Sequence, residues 1–250
     1  YFGSQGLVVC LPVIDRYAGF QLVQAFHGQG RFTHVDGRYR GAAQGGGVHG
    51  HGERGEAPRL MGRRLAGDSG ALVSDAERLL DALSVRDAVF VGLSIGGMIA
   101  QGLAVKRLDQ VRAMVLSNTA AKIGTETTWA TRIEAVRSRG MEAIAAATLE
   151  RWFGRARMTS PEAAEMRDLL TTCREDGYMG CASAIAGTDF YETTATLRLP
   201  TLAIAGANDG STPPDLVRET ADLITGARFE LIRGAGHLPP IDRPVEFAHL

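Results

Sequence analysis

Short apolar runs recur along the chain, separated by longer stretches whose apolar residues return every three or four positions. Ala88 to Val91, Val111 to Ser117 (VRAMVLS), Thr201 to Ala205 (TLAIA, introduced by Pro200) and Arg228 to Arg233 (RFELIR) have the brevity and the content of strands. Leu79, Leu80 and Leu83 form the apolar stripe of a helix that the capping-box pattern Ser74-Asp75-Ala76-Glu77 would open. Gly97 to Arg107 is a Gly- and Ala-rich helical stretch with Met98, Ile99 and Leu103 for its buried side. Strands alternating with helices pair in parallel, because a parallel return needs a crossover and the helix supplies it. The pattern predicts an α/β fold with a mostly parallel central sheet.

Between the second and third of these strands the period-2 signal disappears. Trp129, Ile133 and Val136 share one helical face, Met141, Ile144 and Leu149 another, and Ser160-Pro161 reads as an N-cap followed by proline at the first helical position. This predicts a helical cap over residues 119–199, inserted into a core made of residues 1–118 and 200–250. A cap above the strand ends closes a pocket and excludes water.

Residues 1–70 differ in kind. They hold 16 of the 31 glycines and four of the six histidines, contain no lysine, and offer only Leu7 to Ile14 as a strand. The strands expected ahead of Ala88 are poorly recognisable there.

Composition narrows the class. With 250 residues and 45% hydrophobic content, the chain can bury one sizeable core. A net charge of −1, from 27 basic and 28 acidic residues, provides no field that would attract nucleic acid or an anionic membrane. Cys10, Cys173 and Cys181 are odd in number and lack C-x-x-C spacing, which argues against a disulfide framework or a zinc site and fits a cytoplasmic setting. Leu7 to Ile14 is too short to span a bilayer and has no basic flank, so no export signal is expected.

The candidate chemistry begins where the first strand ends. Val91-Gly92-Leu93-Ser94-Ile95-Gly96 is a G-x-S-x-G pattern between strand and helix, the setting of a nucleophile elbow. In such an elbow a strained backbone points the serine hydroxyl out of the sheet, and glycines two positions to either side leave room for the turn. The N–H of Ile95 then lies at the start of a helix, suited to negative charge. The pattern occurs by chance in glycine-rich chains; the strand before it and the helix after it distinguish this one.

A serine hydroxyl is a weak nucleophile and needs a histidine base oriented by an acid, in chain order Ser, Asp or Glu, His. After the elbow the chain offers His237, in the loop Gly234-Ala-Gly-His-Leu-Pro239, and His249, in a helical stretch at the end. His237 is the candidate base. Asp209, in Gly206-Ala-Asn-Asp-Gly-Ser-Thr-Pro213, is the candidate acid; its competitor Asp215 falls where Thr212-Pro213-Pro214-Asp215 reads as a helix start.

Taken together, GLSIGGMIAQGLA, VLSNTAAKIGT, LERWFG, AIAGTDFYE, RLPTLAIAGANDGSTPPDLVRET and IRGAGHLPP resemble the 3-oxoadipate enol-lactonases of the α/β-hydrolase fold family, over about residues 72 to 250. The resemblance implies cofactor-free and metal-free hydrolysis of a small enol-lactone in the β-ketoadipate pathway of aromatic degradation. It implies Ser94 as nucleophile, His237 as base, Asp209 as orienting acid and Ile95 N–H as one oxyanion donor. The free carboxylate of such a substrate needs a cation. Arg132, near Trp129, is the candidate, and Trp152 is a candidate apolar wall; arginines and tryptophans on such helices also serve as solvated side chains and cap core. A carboxylesterase, a C–C bond hydrolase and a non-catalytic ligand-binding protein of the same fold remain alternatives. The resemblance stops near Leu72: the loop of the second oxyanion donor has no convincing match, Phe2-Gly3-Ser4 and Val48 to Gly55 being the nearest. Preserved length with an abrupt change of composition is the pattern that a shifted reading frame leaves.

Overall fold

In this computed structural model residues 70–250 are described in full, together with the backbone of 8–11, 25–27 and 31–33. The chain runs β1 (Val8–Leu11), β2 (Ala25–His27), β3 (Arg31–Thr33), α1 (Gly70–Ala82), β4 (Ala88–Leu93), α2 (Ile95–Lys106) and β5 (Val111–Ser117). It continues with α3 (Glu126–Arg139), α4 (Glu142–Phe153), a 3-10 turn (Arg155–Arg157), α5 (Pro161–Thr171), α6 (Glu175–Ala186) and α7 (Tyr191–Thr194). The last elements are β6 (Thr201–Gly206), α8 (Pro214–Leu223), β7 (Arg228–Ile232), α9 (Pro239–Asp242) and α10 (Pro244–His249).

Among the described residues, five strands form one sheet in the order β1-β4-β5-β6-β7, and every neighbouring pair is parallel. All five therefore end on the same edge. Leu11 lies opposite Gly92 and Leu93 opposite Ser117, so the ends of β4 and β5 are level. Loops leaving that edge converge, as in open α/β sheets generally.

The sheet is covered on both faces, which is why its strands read as short apolar runs without alternation. Ala203 and Ala205 pack under Val217 and Ala221 of α8, while Leu202 and Ile204, pointing the other way, pack with Phe247 of α10. On β4, Ala88, Val89 and Phe90 are all buried. The helix that follows, α2, is buried almost all round, from Ile95 through Ala104 apart from Gly102. A helix without a polar face belongs inside. Each fully buried aliphatic side chain there contributes about 1.5–3 kcal/mol.

Residues between β5 and β6 contain α3 to α7. Thr125 caps α3 by accepting from Thr128 N at 3.2 Å, and Ser160 caps α5 by accepting from Ala163 N at 3.2 Å. Val136, Met141, Ile144, Leu149, Trp152, Phe153 and Leu170 make a core of their own, joined by Leu238 and flanked by Leu93. Those last two residues adjoin His237 and Ser94. The insertion is thus packed directly on the edge where the strands end.

Three sequence expectations need correction. Ser74 does not open a helix: α1 begins at Gly70, because Leu72 and Val73 are buried with Ala76 and Leu80 and carry the apolar stripe a turn further back. Thr212 does not cap α8, whose N-cap is Pro213; the Thr212 hydroxyl donates instead to Asp209. Leu7 to Ile14, of which Val8–Leu11 is β1, is not the only strand early in the chain, since β2 and β3 pair antiparallel with Phe26 opposite Phe32. The Phe2-Gly3-Ser4 and Val48 to Gly55 matches lie outside the described residues, as does most of the segment with the shifted-frame pattern. No helix among the described residues is long and apolar enough to cross a membrane.

Candidate active site

Ser94 stands between β4 and α2 with φ 54° and ψ −120°, a conformation that a side chain rarely adopts and that costs about 1–3 kcal/mol. The end of β5 holds it there. Ser94 N donates to Ser117 O at 3.0 Å, and Ser94 O accepts from Gly97 N at 2.9 Å and from the Thr119 hydroxyl at 2.6 Å. A Cβ on Gly92 would stand 2.4 Å from Gly96 O, so only glycine lets the helix turn back so tightly. Ile95 N, the first amide of α2, has no backbone acceptor among the described residues. A free amide at the start of a helix is suited to meet negative charge.

Asp209 and His237 meet on the same edge. Asp209 lies in the turn after β6, His237 in the loop after β7, and His237 Nδ1 is 2.8 Å from Asp209 Oδ2. Both are almost completely buried, at 4% and 2% exposure. With the Nδ1 proton donated to the carboxylate, Nε2 keeps its lone pair. Asp209 Oδ1 accepts from Ser211 N at 2.7 Å and Thr212 N at 3.0 Å; Oδ2 also accepts from Thr212 Oγ1 and Asn118 Nδ2, each at 2.7 Å. Burial pushes the Asp209 pKa up, but the hydrogen bond and charge of His237, with the hydrogen bonds from Asn118 and Thr212, outweigh it and hold the carboxyl below the usual aspartate range. Asp215 is exposed in the first turn of α8 and His249 is exposed in α10, and neither joins this pair. No hydrogen bond links Ser94 Oγ to His237 among the described residues; such contacts are commonly long before substrate binds.

The helical insertion is tied to both loops. His237 N donates to Trp152 O at 2.8 Å, and the two rings stack with centroids 6.1 Å apart and planes 18° from parallel. Gly210 N, beside the acid, donates to Arg151 O at 2.9 Å. Asp242, buried, accepts from Gly236 N at 2.6 Å and pairs with Arg157 of the 3-10 turn. Trp152 therefore stands against the imidazole as a wall. Trp129, in α3, is anchored by Nε1 donating to Ile123 O at 2.7 Å, with the Arg132 guanidinium 4.6 Å above its ring.

Asn118, Thr212, Arg151 and Asp242 are residues that sequence reasoning missed. Asn118 had a readable trace: Ser117-Asn118-Thr119 is a polar triplet directly after an apolar strand, where parallel sheets place their working residues. Thr212 was hidden by the proline pair after it.

An elbow serine, a buried Asp–His pair and a parallel sheet that carries all three at one edge coincide with the alpha/beta hydrolase family, whose profile matches residues 19–250. The chain belongs to that family. Among its relatives, 3-oxoadipate enol-lactonase 2 of Acinetobacter baylyi is 32% identical over 180 residues, covering 71% of this chain and 67% of the relative. The crystal structure of the enol-lactonase from Burkholderia xenovorans is 32% identical with a TM-score of 0.70, covering 80% of this chain and 75% of that one. A pimeloyl-[acyl-carrier protein] methyl ester esterase of Chromobacterium violaceum is 26% identical over 186 residues, covering 69% of this chain and 73% of the relative. The alpha/beta hydrolase assignment makes hydrolysis the coarse activity, and these relatives span lactones and esters.

Proposed function

We propose that this hydrolase opens a small enol-lactone bearing a free carboxylate, of the 3-oxoadipate enol-lactone type, through an acyl-enzyme on Ser94. The buried Asp209–His237 pair on the sheet edge that holds the strained serine carries this reading, and the 32% identity to enol-lactonases supports the choice of substrate.

In the proposed reaction His237 Nε2 takes the Ser94 proton as Oγ attacks the lactone carbonyl. Negative charge builds on that oxygen and is met by Ile95 N–H, a single donor of this kind being worth about 2.7–4 kcal/mol. Collapse breaks the ring C–O bond, and the enolate leaves with the proton held by His237, tautomerising to a ketone. That ketone makes the enolate a good leaving group. Water, deprotonated by the same Nε2, attacks the acyl-enzyme and returns the proton to Ser94, releasing the keto diacid. Asp209 holds the imidazole in its Nδ1–H tautomer throughout. The insertion acts as a cap that excludes water, Trp152 forms its apolar wall, and Arg132 on Trp129 receives the substrate carboxylate. The reaction uses no metal or cofactor, and its partner is a small molecule in the cytoplasm.

A substrate panel tests the choice. The kcat/KM for 3-oxoadipate enol-lactone is expected to exceed that for p-nitrophenyl acetate and for a long-chain methyl ester by at least about 100-fold, since a charged anchor and a closed pocket discriminate at that level. A methyl ester turned over faster than the lactone would make the chain a carboxylesterase.

A further inference from the structure

Asp242 is a buried carboxylate to which the proposed reaction gives no part. Its side chain is 1% exposed, and a charge in such a place costs stability unless it is paired and hydrogen-bonded. The short helix α9 brings it there: Ile241 N and Asp242 N both donate to Leu238 O at 2.9 Å, which folds the chain back onto the loop that carries His237. Asp242 Oδ2 accepts from Gly236 N at 2.6 Å, and Oδ1 pairs with Arg157 Nη1, from the 3-10 turn of the insertion. One carboxylate thus joins the residue before the candidate base to the helical insertion.

The bond to Gly236 N completes the fixing of that backbone. Gly236 O accepts from Asn118 Nδ2 at 3.1 Å, and His237 N donates to Trp152 O at 2.8 Å. Gly236 N is the remaining polar group of the stretch, and Asp242 is its acceptor. An imidazole that must offer Nε2 to Ser94 while Nδ1 stays 2.8 Å from Asp209 moves with its backbone, and a displacement of about 1 Å costs on the order of 100-fold in rate. An ionised acceptor holds an amide roughly twice as strongly as a neutral one. Arg157 gives the contact its second half. Its side chain is 30% exposed, its guanidinium lies 5.8 Å from the Phe153 ring, and it reaches Glu162 at 3.4 Å, so it belongs to the insertion in every other contact. Through Trp152 and through Arg157, two of the three contacts on the backbone at His237 lead to the insertion, and one leads to the end of β5.

We propose that Asp242 is a positioning residue for His237, and that its pair with Arg157 makes the placing of the base depend on the seating of the insertion. Asp242 acts through Gly236 N rather than on the substrate. With the insertion seated, Arg157 neutralises the carboxylate and holds it where Gly236 N needs an acceptor. With the insertion displaced, the unpaired carboxylate turns to water and the loop loses its hold. Turnover is thereby confined to the capped state, in which water is excluded from the site. This role rests on the reading above that His237 is the base for Ser94, and is independent of which ester or lactone is the substrate.

The test measures kcat and KM for p-nitrophenyl acetate and for 3-oxoadipate enol-lactone in the full chain, in Asp242→Ala, Asp242→Asn and Arg157→Met, and in the double variant of Arg157→Met with Asp242→Ala. The downfield proton NMR signal of His237 Nδ1–H is recorded beside them. Asp242→Ala is expected to lower kcat about 10- to 100-fold with KM within about threefold, and to shift or broaden the Nδ1–H signal. Asp242→Asn, whose oxygen still accepts from Gly236 N, is expected to fall in between. Arg157→Met is expected to lower kcat about 3- to 10-fold on its own and to add nothing in the Asp242→Ala background. A kcat within about threefold of the wild type in Asp242→Ala overturns the positioning role, and so does an Asp242→Asn variant no better than Asp242→Ala. An equal loss from Arg157→Met in both backgrounds overturns the tie to the insertion. Should Asp242→Ala fail to fold, Asp242→Asn and Arg157→Met decide, and a wild-type kcat and an unmoved Nδ1–H signal in both overturn the role. If p-nitrophenyl acetate shows the expected pattern and its hydrolysis is lost in Ser94→Ala, while the lactone is not turned over, the positioning role stands and the choice of lactone falls. If the chain hydrolyses neither, the Nδ1–H signal decides: moved in Asp242→Ala it supports the role, unmoved it overturns it.

Discussion

Five donors surround the two carboxylate oxygens of Asp209, and Asn118 is the one among them that lies on neither the Asp209 turn nor the His237 loop. Ser117 Oγ donates to Asn118 Oδ1 at 3.0 Å, which turns the amide nitrogen towards Asp209 and the Gly236 carbonyl. Asn118 also has φ 47°, a value that asparagine tolerates better than most residues. Asn118→Gly keeps the backbone and removes the amide, and with it the hydrogen bonds to Asp209 and to the Gly236 carbonyl. It is expected to lower kcat about 10-fold or more while leaving KM near its wild-type value, because a donor to a buried carboxylate is worth about 1.5–3 kcal/mol. The same variant changes acid stability. Asp209 has a folded pKa below its unfolded one, so its contribution is present above about pH 3.9 and is lost as pH falls through the folded value. Without Asn118 the folded value rises, so that loss is expected to be smaller and to be complete at a higher pH, which the pH dependence of urea unfolding reads directly. Ser94, Asp209 and His237 were legible in sequence because glycine spacing, chain order and loop context all mark them. Asn118 left only the trace of a polar triplet after an apolar strand, since its partners Asp209 and Gly236 lie far away in the chain.

At the scale of elements, the approach of the insertion to the sheet edge depends on two glycines. A Cβ on Gly206 would lie 1.9 Å from Gly236 O, and one on Gly236 would lie 1.9 Å from Trp152 O. Both obstacles are backbone and cannot swing aside. Gly206→Ala or Gly236→Ala is therefore expected to destabilise the fold by at least about 3 kcal/mol in urea unfolding, at or beyond the upper end for overpacking. Gly180, inside α6 with nothing near its missing Cβ, is the contrast: Gly180→Ala is expected to stabilise by roughly 0.5–1 kcal/mol. Equal effects at Gly180 and Gly236 would mean that the insertion does not rest on the His237 loop as described. The strands β4 to β6 were readable because burial on both faces makes them short apolar runs; β7, half-exposed, was readable from Phe229, Leu231 and Ile232. Helix starts were less readable: Ser74 has capping chemistry but lies within α1, and Thr212 has it but spends its hydroxyl on Asp209. Local chemistry proposes a cap, and burial or a charged neighbour decides.

For the molecule as a whole, β1 beside β4 is the feature that residues 1–70 contribute to the described sheet, and the family profile matches from residue 19, although the motifs legible in the sequence begin near Leu72. Upstream of Leu72 the coding DNA read in its other two frames encodes alternating strands and an oxyanion loop if that segment is shifted, and encodes no such pattern if it has diverged. The proposed activity is a property of the entire chain, since the sheet edge, the insertion and both loops must be in register for Ser94 to act as the proposed nucleophile. Ultraviolet-monitored hydrolysis of 3-oxoadipate enol-lactone by the purified chain, side by side with Ser94→Ala, is the most direct measurement. Turnover by the wild type that drops on the order of 10⁶-fold in Ser94→Ala is the expected result. Turnover in Ser94→Ala within about tenfold of the wild type would contradict a serine acyl-enzyme at this elbow.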